Sequence, residues 1–270
     1  NYMPMFGISI AFKNFNYGKG ILGSPWCGLD NFKMLITNMN VTSRIVRNTL
    51  GYYFLFTAVG TVANVALAIA LYECVFKRYA KVTQTIMIMP TFISFIAVTY
   101  IVNALLNNAT GMFNNILKSM GKETINWYLS PQYWPAILTV VNVWKGTGYG
   151  SIMYLSALSG MDQEIFEAAQ IDGATKGQQI RYITLPMLTG MICILLLLGL
   201  GGIMSSNTGL FYQATRNTGT LYKTTQVLDS YVYNALLTGA DFGTTTATTL
   251  YQSVIGFIMV IGTNLIVRKF

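Results

Sequence analysis

The stretch Glu167-Ala-Ala-Gln-Ile-Asp-Gly173, continued by 174–182 and by Ile183-Thr-Leu-Pro186, is a polar island between two long apolar segments. Asp162 is predicted to cap a short helix there, because its carboxylate can accept from free backbone N–H groups of the first turn. Gly173 stands where that helix would stop, since glycine takes the left-handed cap conformation without steric cost. The pattern predicts two short helices with a break at Gly173, and Pro186 near the start of the next apolar run. The apolar face of the first helix is expected to contain Ile165, Phe166, Ala169 and Ile171.

The composition indicates a protein that crosses a membrane several times. Of 270 residues, 53% are hydrophobic and 10% are charged, whereas a soluble domain carries about 25% charged residues. The net charge of +8 favours topology signals and contacts with lipid headgroups over nucleic-acid binding. The sequence has no histidine and no Gly-x4-Gly-Lys-Ser/Thr loop, which excludes a histidine-based metal site or general base and P-loop binding of ATP. Because the three cysteines lie far apart in the sequence, we expect no disulfide.

Hydropathy predicts about six membrane-spanning helices. Residues 2–12 are apolar but shorter than a span, so we interpret them as the end of a first helix, with an interfacial helix as the alternative. Pro90 is expected to kink the predicted span 82–106. Glycines 146, 148, 150, 199, 201 and 202 are expected to allow close helix approach or bending. The other predicted spans are 48–72, 82–106, 133–158, 187–204 and 247–267, and the longer connections are 13–47, 107–131, 160–182 and 206–246.

The distribution of basic residues predicts the orientation of the chain. One side, which holds the 160–182 loop, carries Lys77, Arg78, Lys81, Lys176, Arg181, Arg268 and Lys269. The opposite side spreads its basic residues over roughly three times as many loop residues, so its positive charge is less dense. We therefore expect the 160–182 loop and both termini in the cytoplasm, and the 13–47, 107–131 and 206–246 loops outside.

The spacing within the polar island resembles the EAA signature of the membrane subunits of bacterial ABC importers. That signature reads Glu-Ala-Ala, three residues, Gly, nine residues, Ile, one residue, Leu-Pro, and this sequence matches its fixed positions at Glu167, Ala168, Ala169, Gly173, Ile183, Leu185 and Pro186. The resemblance implies an all-α membrane protein with the type I importer permease fold. It also implies a single permease domain over 1–270 with a cytoplasmic coupling-helix loop.

The same resemblance implies the partners of the chain. Glu167, Ala168, Ala169 and Gly173 would dock onto a cytoplasmic ATPase subunit, and two such subunits would bind the ATP and Mg²⁺. A second permease subunit would complete the pore as a heterodimer in the bacterial cell membrane, and an external or periplasmic solute-binding protein would deliver the solute. The chain itself would be neither an enzyme nor the holder of a cofactor or metal.

A second resemblance concerns the transported solute. The element Gly28-Leu-Asp-Asn-Phe32 and the pattern from Tyr2 to Trp26 are similar to permeases that import oligosaccharides and polysaccharides. Aromatic rings stack on sugar faces and amides bind hydroxyl groups. Candidates along the substrate path are therefore Tyr100, Asn103, Asn142, Trp144 and Tyr149, with helix packing or an interfacial position as the alternative for each. Lys145 is a further candidate because of its charge.

Lys145 lies in the middle of a predicted span, where a cation costs about 2.5–3.5 kcal/mol on insertion scales. Backbone carbonyls or snorkelling could satisfy it, or it could face the translocation path and favour substrates that carry carboxylates. For the chain as a whole, an importer of a non-sugar solute and an ATP-independent secondary transporter are the alternatives to a glycan importer.

Overall fold

The computed structural model describes residues 3–37, 39–239 and 241–267. Arg268 and Lys269, which contribute to the orientation argument, and Tyr2 lie outside the described residues. Helices dominate the described part, in which the extended pairing is an isolated antiparallel bridge between Lys13 and Trp26. The α-helices are Gly20–Gly23, Asp30–Thr37, Met39–Tyr72, Lys77–Ile88, Phe95–Leu106, Met112–Ser119, Trp134–Ser159, Gln163–Ile171, Lys176–Gln179, Leu185–Gly199, Tyr222–Thr225, Leu228–Leu237 and Phe242–Val267.

Shorter helical forms connect these elements. Among the described residues, π-helical segments cover Ile180–Thr184 and Gly209–Ala214. Turns of 3₁₀-helix occur at Met3–Phe12, Met89–Phe92, Trp127–Leu129, Pro131–Tyr133, Leu200–Gly202 and Gly219–Leu221.

The helices long and apolar enough to cross a membrane confirm most of the predicted spans. In the described residues, three qualify alone: Met39–Tyr72, Lys176–Gly202 and Phe242–Thr263. Lys77–Phe92 and Phe95–Leu106 qualify as a pair, bent by 99° at the break between them. The kink expected at Pro90 is therefore a sharp break, because Pro90 sits in a 3₁₀ turn after which the chain leaves the helix. Trp134–Ser159 matches the predicted 133–158 span, but Lys145 and its glycine and polar neighbours dilute its apolar content.

The first apolar segment forms a ten-residue 3₁₀-helix, Met3–Phe12, which packs against Phe242–Val267. At about 2 Å per residue it extends for roughly 20 Å, short of the 30 Å apolar core of a bilayer. That the segment is the end of a first membrane-spanning helix, or alternatively an interfacial helix, stays a prediction.

The chain divides into two compact units by its internal packing. The first comprises residues 1–53, 95–138 and 200–270, and its core is built around Ile45, Ile203, Met204 and Leu228. The second comprises residues 54–94 and 139–199, and its core contains Val65, Ala68, Ile69, Tyr154, Leu158 and Leu188. The assignment of 1–270 to one permease domain stays a prediction.

Candidate functional site

The helix Gln163–Ile171, which we name the docking helix, has the predicted caps at both ends. The Asp162 carboxylate accepts from the backbone N–H of Glu164 at 3.0 Å, which satisfies one free donor of the first turn. Gly173 has a φ of +80°, the left-handed conformation expected of it. The Gly173 N–H donates to the Gln170 carbonyl at 3.1 Å, and the Ala174 N–H donates to the Ala169 carbonyl at 2.9 Å. This pair of bonds is a Schellman motif, which ends the helix and turns the chain sharply.

The docking helix buries only one of its large apolar side chains. Phe166 is 8% exposed, whereas Ile165 is 42% and Ile171 is 87% exposed. The predicted apolar face is therefore split, because the packing of the second unit covers Phe166 and leaves Ile171 open. Glu167 and Ala168 are also exposed, while Ala169 is half-buried. The exposed surface offers the carboxylates of Glu164 and Glu167, the methyl of Ala168 and the aliphatic side chains of Ile165 and Ile171.

The chain restarts as a helix at Lys176, after the break at Gly173, as the sequence predicts. Thr175 and Gln178 form a reciprocal capping box, in which the Thr175 N–H donates to Gln178 Oε1 at 2.7 Å. The helix that begins at Lys176 continues through the π-helical Ile180–Thr184 into the span. Pro186 is the second residue of the α-helix Leu185–Gly199, near the start of the apolar run, as predicted. The wider π turn Ile180–Thr184 precedes Pro186, where the ring of a proline would clash with a regular α-helical turn.

Two side-chain contacts join the docking helix and the following Lys176 to the end of the helix Met39–Tyr72. Gln163 Nε2 donates to the Tyr72 hydroxyl at 2.7 Å. Lys176 Nζ lies 3.1 Å from a carboxylate oxygen of Glu73, which is the less exposed partner of this ion pair. Between these contacts lies a cavity of about 640 Å³, which Phe166 also lines. Gln163 and Lys176 thus join the docking helix and the segment after it to the end of the helix Met39–Tyr72.

The intramembrane Lys145 binds backbone carbonyls at the break between Lys77–Phe92 and Phe95–Leu106. Its Nζ donates to the carbonyl oxygens of Pro90 at 3.1 Å, Thr91 at 2.7 Å and Ile93 at 2.6 Å. In return, Thr91 Oγ1 donates to the Lys145 carbonyl at 2.8 Å. Carbonyls at a helix end lack intrahelical partners, and lipid supplies none, so an ammonium group with three donors fits this position. This arrangement matches the first role considered for Lys145, in which backbone carbonyls satisfy its charge within the membrane.

The predicted close approach of glycines occurs at two positions in this region. A Cβ on Gly148 would overlap the backbone of Met87, and one on Gly150 would overlap the Asn64 side chain. A Cβ on Gly146 or Gly202 would meet nothing within 4 Å, and one on Gly201 would make an ordinary contact with Val260. The helix Trp134–Ser159 thus touches Lys77–Ile88 backbone to backbone at Gly148.

The remaining candidates of the second unit do not form one cluster. Asn142 lines a cavity of about 190 Å³ together with Asn64, Thr57 and Thr147. Trp144 is 40% exposed and Tyr149 is 63% exposed on the surface of this unit.

Tyr100 and Asn103 lie together in the first unit, beside a residue that the sequence did not single out. They line a cavity of about 320 Å³ that Arg216 also lines. Arg216 Nη1 donates to Asn103 Oδ1 at 3.3 Å, and its Cζ lies 6.0 Å from the centre of the Tyr128 ring. Burial raises the pKa of Tyr128, and the charge of Arg216 partly offsets that effect. The i, i+3 spacing of Tyr100 and Asn103 signals a shared helix face, whereas nothing local links Arg216 to them.

Comparisons with known proteins place the chain in a family of membrane transport components. Residues 65–270 match the family described as "Binding-protein-dependent transport system inner membrane component". Protein LplB of Bacillus subtilis (strain 168) is 34% identical over 270 residues, which cover all of this chain and 84% of that protein. The polygalacturonan/rhamnogalacturonan transport system permease protein YteP of the same strain is 31% identical over 269 residues, with 100% and 83% coverage.

A solved structure is similar over the whole chain. It is a bacterial ABC transporter involved in the import of the acidic polysaccharide alginate. Its matching chain is 32% identical, has a TM-score of 0.88, and is aligned over 100% of this chain and 90% of its own length. A second structure shows a bacterial alginate ABC transporter in complex with an alginate pentasaccharide-bound periplasmic protein, with 31% identity and a TM-score of 0.87. The predicted type I importer permease fold is confirmed.

Proposed function

We propose that this chain, which belongs to the family of binding-protein-dependent transport system inner membrane components, imports an oligosaccharide or polysaccharide that carries carboxylates. A permease of this family works in an ATP-driven importer with a second permease subunit, ATP-binding subunits and a binding protein. That membership excludes the secondary-transporter alternative. The observation that carries the proposed substrate is the full-length similarity to permeases for alginate and for polygalacturonan and rhamnogalacturonan. An importer for a non-sugar solute is the competing proposal.

The docking helix is the proposed point at which free energy from the ATPase enters the chain. Its exposed Glu167, Ala168 and Ile171 would contact a groove on the ATP-binding subunit, with Ala169 and Gly173 shaping the backbone. ATP and Mg²⁺ would be bound by that subunit. Closure of the two ATPase subunits then moves the docking helix, and its contacts with Tyr72 and Glu73 pass the movement to a span. The movement requires contacts that differ between the two states of the complex.

The proposed docking to the ATPase subunits implies an orientation for the chain. The docking helix faces the cytoplasm because the ATPase subunits are there, and both termini lie on the same side. The segments 13–47, 107–131 and 206–246 then face the binding protein.

For Lys145 we favour a positioning role over direct contact with the substrate. Its three donors are directed at the carbonyls of Pro90, Thr91 and Ile93. It therefore stabilises the broken helix pair, whose bend would shape the translocation path.

Cross-linking tests the docking proposal. In a background in which Cys27, Cys74 and Cys193 are serine, Ile171→Cys should form a cross-link with a cysteine introduced into the groove of the ATP-binding subunit. The cross-link yield should change when ATP is added. Asn108→Cys, which is exposed in a proposed external loop, is the matched control and should not cross-link. Equal cross-linking of both positions would refute the docking assignment.

A further inference from the structure

The cavity beside Tyr100 is built by an unusual stretch of backbone. The π-helical Gly209–Ala214 packs against Phe95–Leu106, where Gly209 allows the chain to approach the Phe95 ring closely. After it, Arg216 and Asn217 adopt positive φ values of 55° and 49°. The Asn217 N–H donates to the Tyr212 carbonyl at 3.0 Å, and the Arg216 N–H donates to the Gln213 carbonyl at 2.9 Å. Non-glycine residues in this conformation and π-helical turns occur frequently at functional sites.

The cavity carries the positive charge of Arg216, and no carboxylate is among the described residues that line it. Within the described residues, the ion pairs closer than 4 Å join Lys33 with Asp30 and Lys176 with Glu73. Arg216 instead donates one bond to the Asn103 amide oxygen and lies over the Tyr128 ring. These two contacts hold the guanidinium in place but use few of its five N–H donors. The exposed group can therefore bind an anion without first breaking an ion pair.

The other lining groups suit a sugar. Tyr100 is 73% exposed and presents an aromatic face, and the Tyr212 ring is held edge-on against Tyr233 at 4.8 Å. Asn103, Gln213 and Asn217 add amides that can donate to and accept from hydroxyl groups. The Asn217 amide is itself oriented, since its Oδ1 accepts from the Tyr222 hydroxyl at 2.7 Å and its Nδ2 donates to Asn234 Oδ1 at 3.0 Å.

We propose that this cavity is a binding subsite for an acidic sugar residue, in which Arg216 binds the carboxylate, a tyrosine ring stacks on the sugar face and the amides bind its hydroxyl groups. An arginine matches a carboxylate with two parallel N–H···O bonds, which a lysine cannot reproduce. The volume of about 320 Å³ is at the lower end of small-ligand pockets, so it suits one or two sugar rings of a longer chain. This inference rests on the proposed function, because it assigns the carboxylate of the same substrate to a specific residue.

The test uses the complete importer in nanodiscs. Binding is measured by calorimetry without the binding protein, with short oligogalacturonides and with the same oligosaccharides after reduction of their carboxylates to alcohols. Arg216→Gln should weaken binding of the acidic oligosaccharide about tenfold or more and leave the reduced one unchanged. Arg216→Lys should fall between wild type and Arg216→Gln. Lys223→Gln removes an exposed charge from the same segment outside the cavity lining and should bind like wild type.

A parallel measurement distinguishes failure of the Arg216 subsite from failure of the proposed function. ATPase activity of the wild-type complex is recorded with the binding protein loaded with the same acidic oligosaccharide. If that oligosaccharide stimulates ATP hydrolysis but Arg216→Gln binds it as tightly as wild type, the subsite is refuted and the proposed function stands. If neither oligogalacturonides nor alginate oligosaccharides stimulate the wild-type complex, the proposed substrate class and the subsite both fall.

Discussion

Substitution of Gly148 by alanine tests the contact that sets the distance between two helices of the second unit. The added methyl would overlap the carbonyl and peptide atoms of Met87, which belong to the backbone of Lys77–Ile88 and cannot rotate away as a side chain could. Overpacking of this kind costs about 1–3 kcal/mol. The helices must separate, and the hydrogen bonds between Lys145 and the carbonyls of Pro90, Thr91 and Ile93 must lengthen with them.

Gly146→Ala is the matched control. Gly146 lies two residues before Gly148 on the same helix, and a methyl added there would meet nothing within 4 Å. Its effect on stability should be within about 1 kcal/mol, the range of helix propensity between glycine and alanine. The assay is heating of the detergent-purified complex followed by fluorescence-detected size exclusion, with a fluorescent tag on this chain. Gly148→Ala should lower the midpoint by roughly 2–10 °C relative to Gly146→Ala. Equal midpoints for the two variants would refute the close helix contact.

Two further variants test the roles assigned to charged residues. Lys145→Met removes the ammonium donor that the carbonyls of Pro90, Thr91 and Ile93 share, so it should lower stability by about 1–3 kcal/mol and reduce uptake of acidic and neutral oligosaccharides by the same factor. A selective loss of acidic uptake would instead place Lys145 on the substrate path. Glu167→Lys reverses the charge of the exposed docking surface and should impair binding-protein-stimulated ATPase activity in the purified complex, while the loaded binding protein still associates with the permease. Unchanged stimulation would contradict the role of Glu167 in docking.

The parts of the fold that local chemistry decides were predictable from the sequence. The caps at Asp162 and Gly173 form as expected because each depends on residues within one turn. The apolar spans are found because hydropathy is a property of each segment alone. The restart at Lys176 also forms as expected, and it is local in the same way, because a capping box between Thr175 and Gln178 begins that helix.

Other features depend on residues that are distant in the sequence. Pro90 indicates a kink but not an angle of 99°, since the break is held by Lys145 from another helix. Ile171 is apolar, but only the packing of the unit shows that it is exposed while Phe166 is buried. Arg216 could not be linked to Tyr100 and Asn103, because a π-helical segment and two left-handed residues bring it to them.

The measurement that tests the central claim most directly is ATPase activity of the reconstituted complex with its binding protein, with and without acidic oligosaccharides. The account predicts low activity with the empty binding protein and strong stimulation when it carries an oligogalacturonide or an alginate oligosaccharide. Stimulation by a non-sugar solute alone would contradict the proposed substrate. Uptake into vesicles that follows an ion gradient and does not need ATP would contradict the role of the docking helix.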